Sequence, residues 1–165
     1  MSAGHSRCFR FDIIMIRTFK STDTDDDIEE NNMVAIPANV KALFGDKEAC
    51  KVIATACSNG KPHVIPAGTI GVADDNTMMI CQIFLDVTAQ NLEKNPKASF
   101  GVIKGMEAYT VNTELKAKVT EGPLFDQMSK AIMDALHLPV KSVMLFDVKS
   151  VYNQSASMEA GKKMA

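Results

Sequence analysis

Arginine is missing from most of this chain. Its three arginines, Arg7, Arg10 and Arg17, all lie near the start, and none occurs from Met33 onward. Every positive charge beyond that point is therefore carried by lysine or histidine. An anion bound there must be held by lysine, hydroxyl groups, backbone N–H groups or a helix N-terminus, without the bidentate contacts that a guanidinium provides.

Long apolar runs and an excess of one charge are also missing. No stretch approaches the roughly 18 apolar residues of a transmembrane helix. The 165 residues include 18 basic and 20 acidic ones, for a net charge of −2. Such a chain has no overall positive field to attract nucleic acid or anionic lipid. We therefore expect neither a nucleic acid nor a membrane as a partner.

Cysteine and histidine are few and scattered. The cysteines, which form no CxxC pair, are Cys8, Cys50, Cys57 and Cys81. The histidines, His5, His63 and His137, are far apart and show neither HxH nor HExxH spacing. We predict no metal site and no disulfide framework, and a reducing cytoplasm is the simplest location. No GxSxG, Walker or GxGxxG pattern occurs, so no catalytic residue is identified.

Charge divides the chain into an extension and a packed part. Residues 1–32 hold four basic and seven acidic residues, whereas the remainder holds 14 and 13. Residues 21–27 lack apolar side chains and repel one another, so we predict a flexible N-terminal extension over 1–32. An ordered, functional arm is the alternative. The packed domain spans 33–152, and the small polar C-terminal tail, 153–165, is expected to be loose.

Hydrophobic patterning predicts a mainly β (α+β) domain with short peripheral helices. Asn59-Gly60 lies between two apolar runs and indicates a hairpin. Strands are predicted over 51–57, 63–72, 77–84, 98–103, 108–119 and 142–152, and helices over 37–44, 88–95 and 122–136. The first three strands would form a meander. Six antiparallel strands predict a small β-barrel whose interior is filled by side chains, so a ligand would bind outside it or between subunits.

The predicted helix over 88–95 has two polar residues on one face. The Thr88 hydroxyl and free N–H groups begin the helix, and Asn91 follows one turn later. Such a helix start can hold a phosphate group. In the alternative interpretation, Thr88 is a simple helix cap and Asn91 is solvated.

Three segments together carry a family resemblance. Residues 54–66 (ATACSNGKPHVIP) resemble a "T.d.dGrPhvvP" strand pair, and 88–99 (TAQNLEKNPKAS) resemble a "kT.NL..NPrvs" helix-to-strand segment. Residues 116–119 (KAKV) and 121–123 (EGP) follow in the matching order. Over residues 34–152 the chain resembles the pyridoxamine 5′-phosphate oxidase-like family of FMN-binding split-barrel proteins.

The resemblance implies a six-stranded antiparallel split barrel that forms a homodimer, with FMN in a groove at each subunit junction. It also implies which residues line that groove. Facing the flavin would be Pro66, Ala67, Gly68, Thr69, Cys81, Gln82 and Ile83, and near the phosphate would be Thr88 and Asn91. Gly68 would allow close contact with a flat ring, and Gln82 could hydrogen-bond its polar edge.

One position departs from the family pattern. Val87, preceded by Asp86, occupies the place where the family usually has a lysine or arginine next to the phosphate. Losing a hydrogen bond to a charged group costs about 1.5–3 kcal/mol, or roughly one to two decades in affinity. The lysines that could compensate are Lys51, Lys61 and Lys104.

The resemblance predicts an FMN-binding flavoprotein, a redox protein or oxidoreductase of unknown substrate. Because the barrel lacks arginine, we do not expect it to hold two phosphorylated molecules side by side, as a true pyridoxamine phosphate oxidase must. Two alternatives stand beside this one. In the first, the barrel binds another cofactor, such as a deazaflavin or haem. In the second, it is a non-catalytic dimeric interaction protein.

Overall fold

A computed structural model describes residues 34–165, so the predicted extension over 1–32 lies outside the described residues. Three helices are described: α1 (Ala38–Gly45), α2 (Asp86–Lys94) and α3 (Pro123–Leu136). The strands are β1 (Cys50–Ala56), β2 (Pro62–Pro66), β3 (Ile70–Asp74), β4 (Thr77–Gln82), β5 (Lys97–Lys104), β6 (Glu107–Val119) and β7 (Ser142–Asn153). No helix in this part of the chain is long and apolar enough to cross a membrane.

The strands form one antiparallel sheet in the order β2-β1-β5-β6-β7-β4-β3. Its two end strands, β2 and β3, are joined by only three residues, 67–69. Four Cα–Cα steps span at most about 15 Å. The ends of a flat seven-stranded sheet would be about 29 Å apart. The sheet must therefore curl until its ends approach each other, and the predicted antiparallel split barrel is confirmed.

The strand count differs from the prediction, because the expected strand over 63–72 is two strands. β2 pairs with β1, whereas β3 pairs with β4 at the opposite end of the sheet. The predicted three-strand meander is therefore wrong. Pro66 has no N–H for a ladder, and Gly68 has no side chain to pack, so the strand breaks between them. We call residues 66–69, where the two ends of the sheet meet, the seam segment.

Apolar side chains fill the interior of the sheet. Phe100 of β5 and Phe146 of β7 meet edge to face, with ring centroids 5.0 Å apart and planes at 79°. Both rings are fully buried, as are Ile53, Met78 and Val111. This core leaves the outside of the barrel for a ligand, as small barrels generally do.

Helix α3 differs from the other two helices because none of its residues is buried. Its apolar residues recur at helical spacing, which predicts a face that packs against another surface. The members of that stripe are Leu124, Met128, Ile132 and Leu136. Leu136 is 52% exposed and the neighbouring Met133 is 44% exposed. The apolar side of α3 is thus only partly covered within the described chain.

The C-terminal tail is not loose, contrary to expectation. Tyr152 and Lys163 form an isolated antiparallel bridge. The Met164 N–H donates to the Val151 carbonyl at 2.7 Å, and the Gly161 N–H donates to the Asn153 carbonyl at 2.7 Å. These backbone bonds hold residues 161–165 beside the end of β7.

Gly101→Ala is expected to destabilise the sheet. Gly101 pairs with Val52 across β1 and β5, and a Cβ added at Gly101 would lie 2.8 Å from the Val52 Cγ2 atom. We expect urea unfolding to give a free energy lower by about 1–3 kcal/mol. In a Val52→Ala background the same change should cost far less, because the clashing methyl group is gone. An equal cost in both backgrounds would contradict this contact.

Candidate functional site

The seam segment is held by hydrogen bonds to both neighbouring strands. The Ala67 N–H donates to the Lys51 carbonyl in β1 at 3.0 Å. On the other side, the Thr69 hydroxyl donates to the Cys81 carbonyl in β4 at 3.0 Å. Residues 67–69 of this segment are irregular backbone, yet β1 and β4 fix their position.

A cavity of about 660 Å³ lies along the seam segment, within the usual size range of small-molecule sites. We call it the apolar groove. It is lined by Ile65, Pro66, Ala67, Gly68, Thr69, Cys81, Ile83, Phe84, Leu85, Ile132, Ala135, Leu136 and Leu138. Almost all of these side chains are apolar, so the groove suits a hydrophobic surface such as a planar ring.

Gly68 leaves the wall of this groove open. A Cβ built on Gly68 would have no atom within 4 Å, and the residue does not have a positive φ. The backbone conformation therefore does not require glycine at this position. What glycine provides is main chain that no side chain covers along the wall of the groove.

Cys81 is the only titratable residue among those that line the apolar groove. It is buried, and burial raises the pKa of its thiol above the ordinary value. A thiolate is the reactive form of cysteine, so this thiol is a poor nucleophile at neutral pH. The lining therefore offers no carboxylate, imidazole or amine that could act as a general acid or base.

The structure brings six of the nine predicted site residues together at this groove. They are Pro66, Ala67, Gly68, Thr69, Cys81 and Ile83. The other three, Gln82, Thr88 and Asn91, do not line it. Gln82 is buried, and its Oε1 atom accepts a hydrogen bond from the Ser142 hydroxyl at 2.8 Å.

Thr88 and Asn91 both point into the protein. Asn91 is buried, and its Nδ2 atom donates to the Thr55 hydroxyl at 3.0 Å, which ties α2 to β1. Thr88 is fully buried, and its Oγ1 atom has no hydrogen-bond partner within residues 34–165. The helix begins after Leu85, with no side-chain cap. The interpretation of Thr88 as a cap and Asn91 as solvated is therefore wrong.

The first turn of α2 carries an ion pair rather than a free cation. The Asp86 carboxylate lies 2.7 Å from the Lys141 ammonium group. Val87 beside it is half exposed and uncharged. The first turn of this helix therefore has no free cation to replace the lysine or arginine that the family pattern has at the position of Val87.

Sequence reasoning missed the half of the groove that comes from other elements. Phe84 and Leu85 follow β4, whereas Ile132, Ala135 and Leu136 belong to α3. The spacing of Ile132 and Leu136 within the apolar stripe of α3 was a signal that this face covers something. The stripe alone did not indicate what it covers, because any core would satisfy it.

A second cavity, of about 390 Å³, adjoins the first. We call it the lysine pocket. It is lined by Lys47, Ala49, Cys50, Lys51, Pro66, Ala67 and Gly68, so the two cavities share residues 66–68. Of the three lysines considered as compensating cations, Lys51 lines this pocket, whereas Lys61 is exposed in the β1–β2 turn.

Lys104, the third of those lysines, is already paired. Its ammonium group lies 2.6 Å from Asp46 and 3.2 Å from Glu48. The hydrogen bond to Asp46 raises the pKa of Lys104, and the same contact lowers the pKa of the Asp46 carboxyl. Lys104 therefore neutralises the acidic side chains next to the lysine pocket.

No group of three or more histidine, cysteine, aspartate or glutamate side chains within residues 34–165 is arranged to hold a metal ion. The fold and its groove define a split-barrel protein with an apolar cavity at the seam between its sheet ends. A family model described as pyridoxamine 5′-phosphate oxidase matches residues 36–155. The chain belongs to this family, which confirms the resemblance inferred from the three segments. No curated protein matches it.

Solved structures share the fold at low identity. An FMN-binding protein from Syntrophomonas wolfei subsp. wolfei is 20% identical, with a TM-score of 0.65 over 71% of this chain and 84% of that one. HupZ of Group A Streptococcus is 22% identical, with a TM-score of 0.65 over 76% and 99%. An F420 reductase is 13% identical, with a TM-score of 0.55 over 70% of this chain and 98% of that one. The haem storage protein HutZ of Vibrio cholerae is 16% identical, with a TM-score of 0.52 over 74% of this chain and 97% of that one.

The Cys81 thiol should react slowly in the folded protein. Serine at Cys8, Cys50 and Cys57 would leave Cys81 as the single thiol. At pH 8 we expect a thiol reagent to modify folded Cys81 at least about tenfold more slowly than the urea-unfolded chain, because burial limits both access and thiolate formation. Reaction followed by absorbance measures both rates. Equal rates in the two states would contradict this account of the groove wall.

Proposed function

We propose that this protein is an FMN-binding flavoprotein that holds the flavin ring in the apolar groove. The observation that carries the proposal is the open wall at Gly68, beside a cavity lined almost entirely by apolar side chains. A flat ring buried there would contact backbone on one side and the α3 residues Ile132 and Leu136 on the other. Membership of the family adds support, and six of the residues expected to contact the flavin lie together there.

The chemistry proposed for the bound cofactor is hydride or electron transfer, which a flavin carries out by itself. The part of this chain is to bind the ring, orient it and exclude water from one face. Because the groove lining has no acid or base other than a protonated thiol, any proton must come from substrate or solvent. We therefore favour a redox protein or oxidoreductase whose groove residues do not transfer protons.

A substrate that itself carries a phosphate is disfavoured. Residues 34–165 contain no arginine, and several of their lysines are already paired with carboxylates. We propose that the chain acts on an unphosphorylated substrate or passes electrons to a protein. The thiols Cys50, Cys57 and Cys81 are all unpaired, which supports a reducing compartment such as the cytoplasm.

We propose that the protein works as a homodimer. Two large apolar side chains that line the groove are exposed, Phe84 by 77% and Leu136 by 52%, and Met133 on the same helix as Leu136 is 44% exposed. Burial of such side chains contributes about 1.5–3 kcal/mol each, so a second copy that covers them would be stabilised. A partner subunit over these side chains would also close the groove above the ring.

Haem and a deazaflavin are the competing cofactors, since HutZ and the F420 reductase have similar folds. Haem iron takes an axial ligand such as histidine or a cysteine thiolate. No histidine lines the groove, and burial raises the pKa of Cys81, so this lining is better suited to a ring without iron. A deazaflavin has a similar flat ring and is the closer competitor.

Flavin binding is tested by titrating the purified protein with FMN and following quenching of flavin fluorescence. We expect wild type to bind FMN and Gly68→Val to weaken binding at least about tenfold, because the new side chain would fill the space against the ring. The fold should not change, since nothing lies within 4 Å of the added Cβ.

Gly45→Val is the matched control. Gly45 also has open space around an added Cβ and no positive φ, yet it lies at the end of α1 and does not line the groove. It should bind FMN like wild type. If wild type bound a deazaflavin or haem in preference to FMN, the proposed cofactor would be wrong. Equal FMN affinity in all three proteins would instead place the ring elsewhere.

The homodimer is tested by Met133→Lys. A charge at this half-exposed position, beside the groove residues on α3, should weaken the proposed interface and shift the mass measured by light scattering toward monomer. Met158→Lys adds the same charge at a side chain that is 95% exposed in the C-terminal tail, and should leave the mass unchanged. A monomeric wild type, or a dimer insensitive to Met133→Lys, would refute this interface.

A further inference from the structure

The apolar groove can hold a ring but offers nothing to hold a phosphate. A phosphate monoester carries a charge of about −1.5 to −2 at pH 7 and requires cations or hydrogen-bond donors. No lysine lines the groove. The first turn of α2, where the family pattern would place the phosphate, has Asp86 paired with Lys141 and the Thr88 hydroxyl sealed from solvent.

The lysine pocket provides what the groove lacks. It shares Pro66, Ala67 and Gly68 with the groove, so a molecule lying across the seam segment would reach both cavities. Lys47 and Lys51 line it, and neither forms an ion pair with any described residue. Lys51 is also partly buried at the beginning of β1, which limits how far its side chain can move away from the pocket.

The charge balance around the lysine pocket is favourable to an anion. The neighbouring carboxylates, Asp46 and Glu48, are both contacted by Lys104, at 2.6 Å and 3.2 Å. Lys47 and Lys51 are then left with a net positive charge that no side chain of the described residues neutralises by direct contact. The positive charge of Lys51 also helps to lower the pKa of the Asp46 carboxyl, so Lys51 lies near this carboxylate.

We propose that Lys47 and Lys51 form the anion subsite of this protein, and that they hold the phosphate of a ligand whose ring occupies the apolar groove. The inference rests on the proposed function for the identity of the ring, but the lysine pocket is defined without it. It gives the ligand class as a flat apolar ring joined to a phosphate monoester. It also moves the phosphate from the start of α2 to the β1 side of the seam segment.

The test compares FMN with riboflavin, which has the same ring and no phosphate. Both dissociation constants are measured by fluorescence titration for wild type and Lys47→Met/Lys51→Met, in which the aliphatic stems remain. We expect the double variant to lose at least about tenfold in FMN affinity and to keep its riboflavin affinity. Lys51→Arg in a wild-type background should preserve the preference for FMN.

Two controls locate the effect. Lys61→Met removes an exposed lysine in the β1–β2 turn and should leave both affinities unchanged. Thr88→Val removes the hydroxyl at the start of α2 and should also leave the FMN preference intact. The proposal is overturned if the double variant keeps the wild-type ratio of FMN to riboflavin affinity, or if Thr88→Val abolishes that ratio instead.

Inorganic phosphate separates this proposal from the proposed function. At constant ionic strength, phosphate should raise the melting temperature of wild type but not that of Lys47→Met/Lys51→Met. If no flavin binds while this difference persists, the FMN assignment fails and the anion subsite stands. If flavin binds with equal FMN preference in both proteins, the anion subsite fails alone. If neither flavin nor phosphate has an effect, both assignments fail.

Discussion

The three-residue connection between β2 and β3 is the constraint on which the rest of this structure depends. It joins the two ends of a seven-stranded sheet, and a chain that short forces the sheet to curl. The connection itself is not regular β structure: it follows Pro66, the last residue of β2, which has no N–H group to donate, and it contains Gly68, which has no side chain to pack. Closure of the barrel thus leaves a stretch of irregular backbone at the surface. Both cavities open along that stretch.

The site follows from what surrounds this seam segment. On one side, β4 and α3 contribute apolar side chains and a buried thiol whose pKa is raised. On the other, Lys47, which precedes β1, and Lys51, at the beginning of β1, contribute their side chains. A molecule with an apolar part and an anionic part matches this division along its length. The lack of arginine is compatible with an anionic part of this kind, because two lysines can hold a phosphate by charge where bidentate geometry is not required.

Much of the fold was predictable from sequence because its determinants are local. The Asn59-Gly60 turn, the alternation in β6 and the apolar spacing of α3 each specify their own element. The division of the predicted strand over 63–72 was not predictable in this way. Pro66 and Gly68 were visible as irregularities, but whether they mark a bulge or a passage to the other end of the sheet depends on which strands pair, a long-range property of the fold. The prediction of a loose C-terminal tail was wrong for a similar reason. Backbone hydrogen bonds to β7 hold the tail, and such bonds do not require apolar residues.

The residues of the candidate site likewise divide into those that a local motif predicts and those that long-range packing brings in. Residues 66–69 were predictable because a short motif places them together, whereas Ile132 and Leu136 enter the groove through the packing of α3. Gln82 and Asn91 are polar residues in a motif, and polarity at such positions suggests ligand contact. In the structure their amides contact Ser142 and Thr55 instead, because a buried amide that lacked a partner would cost about 1–3 kcal/mol. Thr88 has no such partner, so its hydroxyl is a buried polar group of the α2 motif whose presence packing within residues 34–165 does not explain.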